Sequence, residues 1–579
     1  MYRFTSALLA MTLSVGLNSL SAVAADAQRP AATMAGRSAV YAPNGVAATS
    51  QPLATTTALN VLQKGGNAFD AAVAAAAVLG VVEPMMTGPG GDMFVLAWSA
   101  KEKKLVALNA SGRAGSLMTR DELLKRAASR PARGNGGPEA TPRIQRGPES
   151  ITVPGAVAGW DALLKKYGTM TLAQVLQPAI SYADKGFVVT PVIAGNWAGG
   201  KNLLSRDEGA KATLLVNGDT PKAGDFFRNP DLANSYRQIA KEGPSALYGG
   251  ALGQKIVTHL KKLGGFITIE DLKKNQPTWV TPISTMYKGY RVWELPPNNQ
   301  GIAALEMLRI LDTYDLKSMG LNSAPYLHHL IEAKKLAYAD LARYVGDADH
   351  LTLKPDQMLA DPFIRERRSH IDEKKAMVRT EPGPERVSSE TVYLTVADKD
   401  GNMVSFINSL FDEFGSGVVV PGTGFALHDR GLGFTLEAGL PNTVAPGKRP
   451  FHTLIPGFVT KPGPNATADG TGDEPYMSFG LMGGAMQAQG HAQFLINHLV
   501  FGMDIQAAMD AARFRHETDV RVIVESPITD ETIAGLKALG HEVTFAKPTS
   551  FGGSQAIIKL AHGYVAGSDP RKDGHAAGY

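Results

Sequence analysis

Residues 391–402 have the sequence TVYLTVADKDGN, which predicts a strand that begins at Thr391 and ends in a turn at 398–402. The preceding residues, 379–390, are RTEPGPERVSSE, a polar run with two prolines. Such a run, leading into a strand whose first residue carries a hydroxyl, suits a self-cleaving amidase. The Thr391 hydroxyl would attack the carbonyl of Glu390, and the freed α-amine of Thr391 would then act as base for that hydroxyl. The alternative is an ordinary strand threonine after a surface loop.

Composition and charge limit the classes of function. The chain has 579 residues, of which 44% are hydrophobic and 19% charged, as is typical of a globular protein with one large domain or two smaller ones. Its net charge of +4 is small for this length and argues against nucleic acid as a main partner. The chain contains no cysteine, which excludes disulfide bonds and catalysis by a thiolate.

The N-terminus has the pattern of a secretory signal. Arg3 provides a positive charge, residues 7–20 are mostly apolar, and Ala22-Val23-Ala24 is a small-x-small cleavage site. We therefore expect residues 1–24 to be removed and the protein to be periplasmic or secreted; the alternative is a frayed N-terminal helix. The apolar run at 71–82 is shorter than the about 20 residues that cross a bilayer, so we expect no membrane span.

The periodicity of apolar residues changes after residue 390. Helices dominate the patterns before it, including an amphipathic helix, 53–64, and a wholly apolar one, 68–82. Beyond it, the patterns predict strands and then helices. We expect strands at 392–397, 403–410 and 424–427, helices at 172–185, 488–501 and 505–514, and a polar loop at 462–475. Mixed elements alone support only an α+β or α/β class.

Several motifs, in the same order along the chain, resemble the γ-glutamyltransferase (glutathione hydrolase) family. The small subunit of that family begins Thr-Thr-His-Tyr-Ser-Val-Val-Asp-Lys-Asp-Gly-Asn, to which residues 391–402 correspond. Further similar segments are GGNAFDAA at 65–72, TGPGG at 87–91, VPGAVAGW at 153–160, YGTM at 167–170, FGSG at 414–417 and the end of the chain, 569–579. The resemblance implies an α+β fold, the four-layer αββα sandwich of N-terminal nucleophile hydrolases. It also implies a large subunit, 25–390, and a small subunit, 391–579, that remain interlocked as a heterodimer after self-cleavage.

The resemblance assigns catalytic roles to four residues. Thr391 would be the nucleophile, and Ser409 stands where the family has a second threonine that hydrogen-bonds it. Gly483 and Gly484, in GLMGGA at 480–485, would form the oxyanion hole, because glycines let backbone N–H groups approach a developing charge. Taken alone, the glycines would be a plain turn and Ser409 an ordinary strand-end serine. The resemblance implies no metal and no organic cofactor.

The expected substrate pocket departs from the family pattern. Arg113 falls where the family holds the glutamyl α-carboxylate, although a surface ion pair is an equal alternative. Gly433 replaces the aspartate that binds the substrate ammonium, Phe411 replaces an asparagine, and His452 and Thr453 replace a pair of serines. The segment at 442–448 is also too short for the family's loop over the site. These changes predict a wider, more apolar and more open pocket, which favours hydrolysis over transfer.

The leading prediction is a self-processing threonine amidohydrolase that acts on small-molecule amides, with γ-glutamyl or related carboxylate-bearing acyl groups, such as glutathione. A second possibility is an acylase for non-glutamyl amides, like the cephalosporin-acylase relatives of the family. A third, of another class, is a binding protein that kept the fold and lost processing. His328 and His329, with Glu332, lack the spacing of a zinc helix and are predicted to be surface histidines.

Overall fold

The structure is a computed structural model that describes residues 36–130, 142–378 and 390–579. The predicted signal segment at 1–24 and the run at 379–389 lie outside the described residues. No helix within the described ranges combines the length and the apolar composition that crossing a membrane requires.

Runs of strands and runs of helices are mixed along the described chain. The strands are β1 Val40–Ala42, β2 Val46–Thr49, β3 Asp92–Ser99, β4 Lys104–Ala110, β5 Phe187–Val188, β6 Phe226–Phe227, β7 Thr278–Val280, β8 Ile283–Tyr287, β9 Tyr290–Glu294, β10 Glu390–Ala397, β11 Met403–Phe411, β12 Gly457–Pro462, β13 Asp473–Met482, β14 Phe514–His516, β15 Arg521–Val524, β16 Glu542–Phe545, β17 Gly553–Lys559, β18 Tyr564–Ser568 and β19 His575–Gly578. The helices are α1 Pro52–Gln63, α2 Ala68–Val82, α3 Arg120–Ala128, α4 Ala156–Tyr167, α5 Leu172–Val175, α6 Gln177–Lys185, α7 Pro191–Gly199, α8 Lys201–Leu204, α9 Glu208–Leu214, α10 Pro230–Glu242, α11 Ala251–Lys262, α12 Ile269–Lys273, α13 Gly301–Leu311, α14 Leu316–Met319, α15 Ala324–Tyr344, α16 Pro355–Met358, α17 Asp361–Arg368, α18 Met486–Leu499, α19 Ile505–Asp510 and α20 Asp530–Ala538.

Two antiparallel sheets of seven strands each form the centre of the fold. Sheet I has the order β19-β2-β10-β11-β3-β4-β7, and sheet II has the order β1-β18-β17-β13-β12-β9-β8. Every strand pair in both sheets is antiparallel. The pair β15 and β16, in a small separate sheet, is parallel.

The alternation of side chains along strand β3 explains the layers. Val95 and Ala97 belong to a core shared with helices α1, α2, α4 and α6, whereas Phe94 and Leu96 belong to a core between the two sheets. Successive strand residues point to opposite faces, so both faces of sheet I are covered. A third core packs sheet II against α13, α15 and α18. The predicted four-layer αββα sandwich of the α+β class is confirmed.

Helix α2 connects two of the motifs that resemble the family, 65–72 and 167–170. All of its residues are buried, and Asn67 caps its first turn in a reciprocal arrangement with Asp70. The Asp70 carboxylate also accepts hydrogen bonds from the backbone N–H of Thr169, at 3.0 Å, and from its hydroxyl, at 2.6 Å. The predicted buried helix is therefore confirmed, and the motifs at 65–72 and 167–170 form one contact.

Two of the predicted elements in the C-terminal part are wrong. Residues 424–427 do not form a strand but part of a loop, in which Ala426 makes a single bridge with Val419. Gly424 has φ +80°, which interrupts an extended conformation. The helix predicted at 505–514 ends at Asp510, and Phe514 starts strand β14.

Two other boundaries also differ from the sequence prediction. The helix predicted at 172–185 is divided into α5 and α6, because Pro178 cannot donate the hydrogen bond that a continuous helix would need. The polar loop predicted at 462–475 is shorter than expected, since β12 extends through Pro462 and β13 begins at Asp473. Asp473 is ion-paired with Arg291 at 3.0 Å, which explains the order of a polar strand end.

The histidines of α15 are buried, so the prediction that they lie on the surface is wrong. His328 Nδ1 lies 2.9 Å from His541 Nε2, and Lys335 Nζ donates to Glu332 Oε1 at 2.7 Å. Burial lowers the pKa of His541 to about 3, and the charge of Lys335 acts in the same direction. The nitrogen and oxygen atoms of His328, His541 and Glu332 that could bind a metal lie within 4.8 Å of one another. Because the ammonium group of Lys335 already pairs with Glu332, we interpret this cluster as a buried polar network. It joins α15 to the segment after α20.

A buried charge cluster stabilises the C-terminal motif. Asp569 pairs with Arg513 at 2.6 Å and with Arg571 at 3.2 Å. Burial raises the pKa of Asp569, but the two arginines outweigh this effect and hold it at about 2. We expect Asp569→Asn to lower the free energy of unfolding by about 3–5 kcal/mol, because it leaves buried guanidinium groups without their counter-ion. Denaturant unfolding measures the loss. Asp219→Asn, which breaks an exposed pair with Lys201, is the control, and an equal loss in both variants would contradict the prediction.

Candidate active site

Thr391 lies in strand β10, inside the sandwich, and is 0% exposed. The pairing of β10 with β11 shifts register between Glu390 and Val392, because β11 has two residues, Ser409 and Leu410, opposite Thr391; this is a bulge in β11 beside Thr391. Bulges re-aim side chains and are common beside active sites. The Thr391 hydroxyl donates to the Oγ of Ser409 at 3.2 Å, and the same Oγ accepts the backbone N–H of Phe411 at 2.8 Å. The structure therefore brings the predicted nucleophile and its predicted hydroxyl partner together.

Two contacts across the sandwich fix which part of sheet II faces Thr391. Thr395 Oγ1 lies 2.6 Å from Ser478 Oγ. Two residues nearer to Thr391, the ring of Tyr393 packs so closely on Gly480 that a Cβ there would be 2.2 Å from a ring carbon. From the first contact to the second, the residue number falls by two along β10, from 395 to 393, and rises by two along β13, from 478 to 480. Because side chains on one face recur every two residues, the next step places Thr391 opposite the end of β13.

The predicted glycine pair lies at that end of β13. Gly483 and Gly484 have φ values of +123° and +59°, and residues other than glycine rarely adopt positive φ. They form the turn between β13 and α18, which begins at Met486. Gln300 Nε2 donates to the carbonyl oxygens of Gly484, at 2.8 Å, and of Thr453, at 2.7 Å. The side-chain amide of Gln300 thus connects the glycine turn to Thr453, a predicted substrate-binding residue.

A histidine that the sequence analysis missed supports the same strand. His491 Nε2 accepts the backbone N–H of Leu481 at 3.2 Å. Its Nδ1 therefore carries the proton and donates to Glu294 Oε1 at 2.7 Å. Burial raises the pKa of Glu294, and the contact with His491 opposes that effect. This buried pair, with both side chains 0% exposed, fixes the backbone two residues before Gly483.

Asp92 is a second residue that the sequence analysis did not select. It pairs with Ser409 in the register of β3 and β11, and it is fully buried. Its Oδ1 accepts the backbone N–H groups of Gly112, at 3.0 Å, and Gly155, at 2.8 Å. Its Oδ2 lies 3.4 Å from Nε2 of His452. Asp92 thus joins the segments that carry Gly112, Gly155 and His452 to the strand that carries Ser409.

Burial favours the neutral form of the two histidines beside Asp92. Burial lowers the pKa of His452 well below its usual value, and the charges of Arg430, His428 and Arg449 act in the same direction. Burial also lowers the pKa of His428, whose Nδ1 lies 4.0 Å from Asp92 Oδ2. The predicted residue His452 is therefore placed next to the site as a neutral imidazole.

Three further predicted residues lie around Arg430. The guanidinium carbon of Arg430 is 4.5 Å from the ring centroid of Phe411, and its Nη1 donates to Thr453 Oγ1 at 3.3 Å. Phe411 has φ +83°, a strained conformation for a side chain of this size. At Gly433, a Cβ would be 2.3 Å from the carbonyl oxygen of Phe451, so this position has no room for the aspartate that the family carries.

Arg113 is already engaged by other groups. Its Nη1 lies 3.2 Å from Asp347 Oδ2 and donates to the carbonyl oxygen of Gly447 at 2.9 Å. The Arg113 side chain is 40% exposed, and the same Asp347 oxygen accepts the backbone N–H of Arg449 at 2.8 Å. The ion pair that was the alternative role for Arg113 is therefore present. Arg113 also follows directly after Gly112, whose backbone N–H donates to Asp92.

Replacing Ser409 with alanine is expected to slow amide hydrolysis about 10-fold, because it removes one hydrogen bond to the Thr391 hydroxyl. Initial rates of anilide release measure the effect. Ser409→Thr restores a hydroxyl and should retain most of the rate. Ser405→Ala is the matched control, since Ser405 is a buried serine of the same strand that contacts Tyr393 instead. Equal rates for the Ser409→Ala variant and the unmodified protein would show that Ser409 does not assist the reaction.

Comparison with known proteins agrees with this geometry. The sequence model of the family described as gamma-glutamyltranspeptidase matches residues 54–579. The chain is 37% identical to the glutathione hydrolase-like YwrD proenzyme of Bacillus subtilis, over 91% of this chain and 97% of that protein. It is 33% identical to the oxamate amidohydrolase proenzyme of Klebsiella pneumoniae, over 93% of this chain and 98% of that protein. Its fold is similar to the crystal structure of cephalosporin acylase from Bacillus halodurans, with a TM-score of 0.86, 39% identity and coverage of 94% and 97%.

Proposed function

This chain belongs to the gamma-glutamyltranspeptidase family, as an amidohydrolase of the N-terminal nucleophile type, and on that premise we propose that it cuts itself between Glu390 and Thr391. In the proposed reaction, the Oγ1 of Thr391 attacks the carbonyl carbon of Glu390. The peptide C–N bond breaks as the ester bond to Oγ1 forms, and the α-amine of Thr391 takes up the proton. Water then hydrolyses the ester, which releases the carboxylate of Glu390 and restores the hydroxyl.

The same groups then hydrolyse the substrate amide. The α-amine of Thr391 accepts the proton of its own hydroxyl as Oγ1 attacks the substrate carbonyl. Backbone N–H groups of Gly483 and Gly484 stabilise the oxyanion. The α-amine of Thr391 then passes the proton to the nitrogen of the substrate amide, and the substrate amine leaves. Water attacks the resulting acyl-enzyme and releases the acid. The observation that carries this proposal is the position of Thr391, which lies buried beside the bulge in β11 and donates its hydroxyl hydrogen bond to Ser409.

The proposed subunits, 25–390 and 391–579, would remain together after the cut because their strands are interleaved. In sheet I, strand β10 of the small subunit lies between β2 of the large subunit and β11. Strand β11 pairs in turn with β3 of the large subunit along seven residues. Separation of the halves would break these backbone hydrogen bonds and expose the cores on both faces of the sheet. The heterodimer would form in the periplasm or outside the cell, if the predicted signal directs export.

The proposed substrates are amides whose acyl part carries a carboxylate, including γ-glutamyl compounds such as glutathione. Arg113 is the arginine that the family pattern assigns to that carboxylate. An acylase for non-glutamyl amides is the second candidate, and Phe411 and Gly433 favour it because neither supplies an anion for the ammonium of a glutamyl group. The similarity to the cephalosporin acylase is consistent with this alternative.

A release assay separates the two candidates. Glutathione, γ-glutamyl p-nitroanilide and glutaryl p-nitroanilide would each be incubated with the mature protein, with and without an acceptor dipeptide. Turnover of all three, with free acid as the main product, is the expected result. Turnover of the glutaryl compound alone would identify the acylase, and a predominance of transfer products would contradict the proposed hydrolase. An uncut chain that binds these amides without turnover would support the binding protein instead.

A further inference from the structure

Arg430 is a fully buried cation in the centre of the candidate site. Its side chain is 0% exposed, and it follows directly after His428 and Asp429 in the short turn that precedes Phe434. A long charged side chain is seldom buried to this extent unless it has a partner. The surroundings of its guanidinium group therefore indicate what the site binds.

One edge of that guanidinium group has no partner among the residues that the structure describes. Nη1 donates to Thr453 Oγ1 at 3.3 Å, but Nε and Nη2 have no hydrogen-bond partner among the described residues. The N–H bonds of Nε and Nη2 are parallel and form the side edge of the guanidinium fork. This edge matches the two oxygens of a carboxylate in bidentate contact. Two buried donors left without an acceptor are costly, so an anionic group that fills this place would be strongly favoured.

The unoccupied edge belongs to the same site as the nucleophile. The ring of Phe411 lies against the guanidinium group, at 4.5 Å from its carbon, and the backbone of Phe411 is bonded to Ser409. Ser409 in turn accepts the hydroxyl of Thr391. On the other side, Thr453 connects Arg430 to the glycine turn through Gln300. Arg430 is thus joined to both the nucleophile and the proposed oxyanion hole by short chains of contacts.

The local charges leave Arg430 available for a ligand. Its attraction to Asp92, Asp429 and Asp412 partly offsets the effect of burial, which lowers the pKa of Arg430 to about 10. At neutral pH the group is therefore still charged. Asp429 is also paired with Arg146 at 3.3 Å, and Oδ1 of Asp92 is occupied by two backbone N–H groups. None of these acids forms a hydrogen bond to the Nε and Nη2 edge.

We infer that Arg430, and not Arg113, binds the carboxylate of the acyl group, so that the preferred substrates are amides of acids with a second, terminal carboxylate. Phe411 would cover the methylene carbons of such an acyl chain, and Thr453 would hold the guanidinium group in place. Arg113 differs because its Nη1 already contacts Asp347 and Gly447, and because it is partly exposed. This inference rests on the proposed amidohydrolase function and names its substrate class.

Matched substrates test the inference on the unmodified protein. Oxalyl, succinyl and glutaryl p-nitroanilides would each be compared with an analogue in which the terminal carboxylate is a carboxamide of nearly the same shape. For the acyl length that fits best, we expect kcat/KM to be higher for the carboxylate by about 10²-fold or more, since two charge-assisted hydrogen bonds are made only by the anion. A ratio near one would overturn the inference and leave the proposed function intact.

Variants then identify the arginine responsible. Arg430→Gln should bring the ratio of carboxylate to carboxamide turnover close to one, mainly through a higher KM for the carboxylate. Arg430→Lys should keep part of the ratio, because a lysine supplies the charge without the fork. Both variants should still be cut before Thr391, and the two fragments on a denaturing gel verify that they fold. The inference fails if Arg430→Gln keeps the full ratio, or if Arg113→Gln abolishes it. Absence of both cutting and turnover in the unmodified protein would refute the proposed function itself.

Discussion

Thr391→Ala is expected to leave the bond between residues 390 and 391 uncut and to reduce amide hydrolysis by about 10⁴-fold or more. Alanine has no hydroxyl to attack the carbonyl of Glu390, and without the cut no α-amine is available as a base. A denaturing gel would then show one chain where the unmodified protein shows two. Hydrolysis of an anilide substrate measures the second effect in the same samples.

Two further variants separate the nucleophile from the rest of the fold. Thr391→Ser keeps a hydroxyl at the bulge and should still be cut, although the altered side chain will change the rate. Val392→Ala changes a neighbouring buried residue that faces the helices, and should be cut normally. A Thr391→Ala protein that is cut at the same bond and remains active would show that another residue performs the chemistry.

Gly483→Ala is expected to lower kcat for amide hydrolysis by about 10²–10³-fold, the range found when one oxyanion donor is removed. An alanine Cβ at this position would lie 2.9 Å from the Cα of Gly552, so the turn would have to move. The φ of +123° is also unfavourable for alanine. Both effects displace the backbone N–H groups that we propose to face the reacting carbonyl. The measurement is kcat at saturating anilide on fully cut protein.

The control for this variant is Gly289→Ala, in the hairpin between β8 and β9. Gly289 has φ +84°, and a Cβ there would meet no atom within 4 Å. This substitution introduces comparable backbone strain away from the site, so the thermal midpoint falls while kcat stays the same. A similar decrease of kcat in both variants would mean that Gly483 acts only through stability.

The αββα fold could be predicted from the sequence because several motifs resembled one family in the correct order. Local patterns alone were sufficient for α2, whose apolar run is buried on every side. They failed where the backbone conformation depends on distant contacts. Residues 424–427 have a strand-like composition, but Gly424 packs against the backbone of Leu232, far away in sequence, and the segment stays a loop.

The candidate site was predictable to a smaller extent. Thr391, Ser409, Gly483 and Gly484 were selected through the resemblance; the structure joins Thr391 to Ser409 by a hydrogen bond and gives the two glycines positive φ values in the turn after β13, and their roles are proposals. Asp92, Arg430 and the pair of His491 with Glu294 were missed because each acts through contacts between segments that are distant in sequence. A usable signal was present in the polar triplet His428-Asp429-Arg430, which interrupts a loop otherwise rich in glycine and apolar residues. Burial of such a triplet would require internal partners.

Interleaving of the strands has a consequence for the timing of the cut. Strand β10 pairs with β2 along Leu394–Ala397 and with β11 on its other side, so the scissile bond lies at the end of a strand in the middle of sheet I. The bulge of β11 opposite Thr391 and the bond from Thr391 to Ser409 require these strands to be in place. We therefore expect cutting to follow folding, with both halves of the sandwich assembled as a single chain first.

N-terminal sequencing of the smaller fragment shows whether the chain is cut between Glu390 and Thr391. Purified protein would be separated on a denaturing gel, and the shorter chain sequenced from its first residue. We expect a single sequence that begins Thr391-Val392-Tyr393-Leu394, from a protein that hydrolyses amides. An active protein that remains one uncut chain, or a fragment that begins at any other residue, would contradict it.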